Sequence, residues 1–120
     1  MSALVTQARV GWWNHPAVLW TAFVLAHVWL IWLGVAVAPG SLGDVSGVYR
    51  FWMQGILDGQ FIVGITTAWV YPIVALVPIA LPALASLAHY VIAWLVMVTI
   101  FDLIGFYFLV RGSRRPVARP

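Results

Sequence analysis

The sequence predicts an all-α membrane protein with two to three transmembrane helices and a short amphipathic helix in the loop after the first. Three observations lead there. Of 120 residues, 64% are hydrophobic and 8% charged, with a mean hydropathy of +1.02. Residues 10–43 and 59–101 contain no Lys, Arg, Asp or Glu. Eight Trp are present, a residue that collects at membrane–water boundaries. A soluble domain is about 25% charged and 45–50% apolar, and one this small buries only about two-thirds of what its chain exposes. So much apolar material also excludes disorder.

Six Arg and three Asp carry the charge, for a net +3. Most of the excess sits in a tail over 111–120 (Arg111, Arg114, Arg115, Arg119). A basic tail beside an apolar run suits the anionic membrane surface rather than nucleic acid. Arg as the only cation, with Asn14 the only Asn, has the look of high-GC bacterial codon usage, and the expectation is a multi-pass protein of a bacterial plasma membrane. The absence of Cys removes disulfides, thiolate metal sites and a Cys nucleophile.

A tail over 1–16 precedes the first span, 17–38, which is apolar apart from Thr21 and His27. As a helix it covers ~33 Å, enough for ~30 Å of hydrocarbon. Pro16 suits its first turn and Asn14 its cap. Ala36-Val37-Ala38 has the small-x-small look of a signal cleavage site, but the apolar core is too long and Pro39 would follow the cut, so a retained anchor is favoured. After the loop 39–68, Pro72, Pro78 and Pro82 interrupt an apolar segment over 69–84. A turn within 81–89 leads to a clean helix over 88–110. Two arrangements stand. Three full crossings satisfy the length arithmetic. Two crossings with a half-embedded Pro segment satisfy the charge rule, which puts Arg-rich ends in the cytoplasm.

The loop carries the polar chemistry. Over 45–58, Val45, Val48, Trp52 and Ile56 fall at helical spacing, with Ser46, Arg50, Gln54 and Asp58 opposite. This predicts an amphipathic helix on the membrane, with Tyr49, Phe51 and Trp52 at headgroup depth. Asp44, just before it, is a good N-cap. The other reading is a boundary carboxylate acting as a general base, and the two can coexist. Arg50 can hold a lipid phosphate through paired hydrogen bonds, snorkel, or pair with Asp58. Asp58 beside Gly59 reads as a helix-end turn.

Within the spans, Asp102 is expected to face protein or be protonated, bonded to Tyr107 or another subunit, or to serve function. His27 reads as a neutral His bonded to a neighbouring helix, with a proton relay as the alternative. His15 and His89 fall near segment ends. No His pair has metal-ligand spacing, and no cofactor is expected. Buried ionisable groups are too few for a transporter.

Gly43-Asp44-Val45, Val48-Tyr49-Arg50-Phe51-Trp52 and Trp69-Val70-Tyr71-Pro72 resemble the N-terminal part of GT-C-type glycosyltransferases. The match is to the bacterial polyprenyl-phosphate-mannose-dependent mannosyltransferases, and extends over 17–110. A Tyr-Pro-Pro-like motif is common there; this chain has Tyr71-Pro72-Ile73, without the second Pro. The resemblance implies an extracytoplasmic loop in which Asp44 is the catalytic base and Arg50, Tyr49, Trp52 and Tyr71 contact substrate. It implies transfer of a sugar, mannose by analogy, from a polyprenyl-phosphate donor to a cell-envelope glycan or glycolipid. Members are several hundred residues long with many more helices, so it implies the front end of such an enzyme, inactive alone. The reading from another class is a small helical membrane protein that packs as an accessory subunit against further membrane helices, with Asp102 and His27 as polar contacts.

Overall fold

The computed structural model describes residues 15–60 and 62–112. The expected Asn14 cap, Trp12, Trp13, Arg9 and the tail beyond Gly112 lie outside these residues. Within them the chain is helical apart from turns and one extended loop, and the only β pairing is an isolated bridge between Val63 and Thr67.

α1 runs Pro16–Trp32. Pro16 starts it, its fixed φ suiting the first turn, and the cap is His15, whose Nδ1 accepts from the Ala17 N–H at 3.3 Å. The helix widens into a π-helical stretch, Leu33–Val37, closed by Ala38 N–H donating to the Leu33 carbonyl at 2.7 Å. Pro39 then forces a break: a residue before proline is pushed out of the helical region, and Ala38 sits at φ −130, ψ 62. The chain turns back at once. Gly34 lies under Leu42, where an added Cβ would stand 3.5 Å from the Leu42 Cδ1.

Pro39–Leu42 is 3₁₀, Asp44–Tyr49 is π-helical, and α2 follows over Arg50–Leu57. Gly43 between them is itself helical, at φ −57, ψ −44, so the helix begins at Pro39 and not at Val45. Val45, Trp52 and Met53 are buried and Tyr49 half-buried, while Val48 (39% exposed) and Ile56 (37%) turn outward. This corrects the expected stripe. Bonds of π type turn the chain through a smaller angle per residue, which brings Tyr49 into the face where an ideal α-helix puts Val48. That face packs on protein, against the Pro segment and the last helix. The turn ending α2 is the expected one: Asp58 is the C-cap and Gly59 takes φ +67. Gln60 N–H donates to Gly55 at 2.8 Å and Gly59 N–H to Ile56 at 3.1 Å, the paired bonds of a Schellman close.

Ile73–Ala75 forms a 3₁₀ turn into α3, Leu76–Ala85. Pro82 lies inside α3 and has no N–H to give, so its turn is open. Ser86, extended at φ −168, ends α3 and starts the next helix by accepting the His89 N–H at 3.1 Å. α4 spans Tyr90–Gly112, two residues from the expected bounds at each end. Arg111 in its last turn donates to Tyr107 Oη at 2.8 Å.

Among the described residues, two helices are long and apolar enough to cross a bilayer, Pro16–Val37 and Tyr90–Gly112. Ile73–Ala85 has 13 residues, ~20 Å of rise at 1.5 Å each, short of ~30 Å of hydrocarbon. The lengths therefore match two crossings with a shorter Pro-containing helix. The core sits at one end of the long pair, where Val45, Trp52, Met53, Val63, Ile79 and Tyr90 pack together. Tyr90 is 1% exposed, and its hydroxyl donates to the Ile79 carbonyl at 2.7 Å. Tyr90→Phe removes that bond at little cost in shape and is expected to destabilise the fold by about 1 kcal/mol, measured as a lower midpoint in reversible SDS unfolding followed by tryptophan emission. An unchanged midpoint would show that the hydroxyl does not tie α3 to α4.

Candidate functional site

Asp44 lies one turn inside the helical run that opens just beyond the first long helix. The early start at Pro39 overturns the N-cap reading: Gly43 precedes Asp44 in helical geometry, and no side-chain cap is made there. The carboxylate is exposed and makes no hydrogen bond among the described residues. Its negative charge reaches Tyr49.

Tyr49 belongs to an aromatic cluster drawn from three segments. Trp52 lies 4.8 Å from Trp69 between ring centres, Tyr49 lies 5.2 Å from Trp94, and Tyr49 and Tyr71 meet edge to face at 5.9 Å. Such rings attract through edge and face charge as well as buried area. The Tyr49 hydroxyl donates to the Tyr71 hydroxyl at 3.4 Å. Trp52 is buried with its ring against Trp69 and Tyr71, so protein occupies the surface that a substrate would need. The indole N–H of Trp69 is buried without an acceptor among the described residues, a costly arrangement for a polar group. Tyr49 and Tyr71 are half-buried. The bond to Tyr71, then burial, then the charges of Tyr71 and Asp44 push the Tyr49 phenol up to about 12.

Arg50 is exposed and flanks a groove of about 200 Å³ against Ala88–Ile92. Its expected pairing with Asp58 is not made. Asp58 Oδ2 accepts instead from Gln54 Nε2 at 2.8 Å, one helical turn away, whereas Arg50 is more than two turns distant. Phosphate holding and snorkelling remain for Arg50.

A second polar centre joins the two long helices. Asp102 does not bond Tyr107, whose hydroxyl takes Arg111. Its Oδ2 lies 3.3 Å from His27 Nε2, and His27 Nδ1 lies 2.9 Å from the Phe23 carbonyl. Phe23 stacks on Phe106 at 4.8 Å, and Trp20 meets Phe106 edge-on at 4.9 Å. Trp20, Phe23 and His27 make one stripe on α1, and it meets α4 at Phe106 and Asp102. His27 and Asp102 stand out in the sequence separately, and nothing in their spacing pairs them. Each stands midway along its own apolar run, and antiparallel neighbours of equal length bring such midpoints together.

No family model matches the chain, and no curated protein or solved structure matches it.

The Tyr49 geometry sets a pH dependence. A phenol raised from 10.0 to about 12 in the folded state favours its protonated form there. Its contribution to stability is fully present below pH 10.0 and is lost as pH rises through about 12. The difference in tyrosinate absorbance between the protein and Tyr49→Phe should have its midpoint at about 12. In a Tyr71→Phe background that midpoint should fall, because the largest cause is gone. A midpoint indifferent to Tyr71 would contradict the hydroxyl pairing.

Proposed function

We propose that the chain is an integral membrane protein working in sugar transfer from a polyprenyl-phosphate donor, with Asp44 as the base. The observation that carries the reading is Asp44 itself: an exposed carboxylate, free of hydrogen bonds among the described residues, on a helix that starts where the first span ends. A general base must keep its oxygens available to a substrate proton, and those of Asp44 are.

The topology follows from the two long helices. With Pro16–Val37 and Tyr90–Gly112 as crossings, the segment from Pro39 to Ser86 lies on one face and both flanks on the other. Arg9, Arg111, Arg114, Arg115 and Arg119 then share the second face. The positive-inside rule makes that face cytoplasmic, and Asp44 meets the opposite side. Membrane insertion is part of this proposal.

In the reaction, Asp44 takes the proton of an acceptor hydroxyl as its oxygen attacks the anomeric carbon. The bond from that carbon to the phosphate oxygen breaks, and polyprenyl phosphate leaves with the electron pair. The leaving group is already charged, so no second acid is required, unlike glycoside hydrolysis with its two carboxylates. Arg50, a guanidinium without a carboxylate partner among the described residues, suits a lipid phosphate. Tyr49 and Tyr71 are the half-buried aromatic edge for a sugar, and mannose is the sugar the sequence resemblance points to.

A second reading, an accessory subunit in a larger membrane assembly, is favoured by the His27–Asp102 contact and by the apolar side chains exposed along both spans. The variants separate the two. Asp44→Asn, at normal membrane level in a strain lacking the native copy, should lower lipid-linked sugar transfer roughly 10²–10⁴-fold, the usual worth of a general base. Unchanged transfer would exclude Asp44 as the base and leave the accessory reading.

A further inference from the structure

The His27–Asp102 contact carries a conclusion about proton count and about what packs beside it. The Phe23 carbonyl can only accept, so His27 Nδ1, 2.9 Å away, bears a hydrogen. His27 Nε2 and Asp102 Oδ2, 3.3 Å apart, then share one proton. On nitrogen it gives imidazolium and carboxylate; on oxygen it gives imidazole and carboxylic acid. Both forms are neutral overall. With no proton, a lone pair would face a carboxylate and the pair would carry a negative charge midway along the two apolar helices. With two, the pair would be cationic and both groups would face each other as donors. Charge at that depth is expensive, and a single shared proton is the count that leaves the pair with none.

The pair is satisfied on one side only. The Asp102 side chain is 56% exposed against 19% for His27. Its second oxygen makes no hydrogen bond among the described residues, and its neighbours Phe101, Leu103 and Ile104 are exposed and apolar. In hydrocarbon no water is at hand for that oxygen. In either form of the pair the oxygen accepts a hydrogen bond. A cationic donor would leave a net positive charge unless the pair gave up its shared proton and its bond to His27, whereas a neutral donor requires neither.

We infer that Asp102 is the docking point for a partner's transmembrane helix that presents a neutral donor, a hydroxyl or a carboxamide, at the bilayer midplane. The inference rests on the membrane insertion proposed above but not on the chemistry at Asp44, and its test does not read sugar transfer.

The full chain, labelled with a fluorophore and reconstituted in phosphatidylcholine vesicles, is mixed with polyleucine transmembrane peptides bearing a central Asn, Lys or Leu. The peptides are dilute enough to stay monomeric, and energy transfer reports association. The Asn peptide should bind about fivefold or more tightly than the Leu peptide, in line with one interhelical hydrogen bond, and the Lys peptide no better than Leu. Asp102→Leu should erase the Asn preference. Asp102→Asn should keep it, since a carboxamide donates to His27 Nε2 and still turns an oxygen outward. His27→Ala should raise binding of the Lys peptide, because Asp102 then lacks the group that balances its charge. Equal binding of Asn and Leu peptides to the unmodified chain, or tightest binding by Lys, would overturn the inference. So would self-association of the chain without peptide that Asp102→Leu abolishes, for then the site receives a second copy.

Discussion

Tyr90 is the joint on which the arrangement depends. It opens α4, is 1% exposed, and gives its hydroxyl to the Ile79 carbonyl in the helix that also holds Pro82. Its ring stacks at 6.5 Å on Trp94, and Trp94 in turn meets Tyr49. Through these contacts the start of the last long helix grips both the Pro segment and the helix that carries Asp44. Away from this end the long helices meet along the Trp20, Phe23, His27 stripe. In the proposed bilayer, hydrocarbon offers helices no hydrophobic reason to associate, so the fold is fixed mainly at this end of the long pair.

The two long helices were legible in the sequence because a crossing needs length and apolarity, and both can be counted. Their bounds came within about two residues, which is the scatter of any helix end. The Gly59 turn was legible because few residues tolerate positive φ. The start at Pro39 was not. Nothing in Gly40-Ser41-Leu42-Gly43 argues for helix by propensity, and the tight reversal under Gly34 that holds it there is a tertiary fact. The same is true of the π turn from Asp44 to Tyr49, which moved Val48 out of the buried face and brought Tyr49 in.

Of the candidate site residues, Asp44, Tyr49, Arg50, Trp52 and Tyr71 were chosen by type and by resemblance, and the fold treats them differently. Tyr49, Trp52 and Tyr71 come together although more than a dozen residues separate the last from the others. Trp52 is core, packed ring against ring with Trp69. Arg50 stands on the groove beside Ala88 and away from Asp58. Short-range periodicity ranks residues as facing in or out; it does not separate an aromatic that packs from one that waits for a ligand.

The two informative carboxylates live under opposite constraints. Asp44 is where water can solvate it, so ionisation costs little and its oxygens stay available. Asp102 is midway along an apolar helix, where a charged Asp costs about 3 kcal/mol on insertion scales. One interhelical hydrogen bond returns about 0.6 kcal/mol, and up to about 2 in favourable cases. The bond to His27 alone therefore does not offset an ionised Asp102, and two apolar side chains of similar size would pack the same helices at lower cost. Sharing a single proton leaves the pair without net charge, and with that proton on oxygen neither group is ionised. What it does not remove is the exposed acceptor oxygen, which in the proposed bilayer faces lipid. That residual cost is specific in chemistry and in depth, and a neutral donor on an adjoining helix relieves it without adding charge.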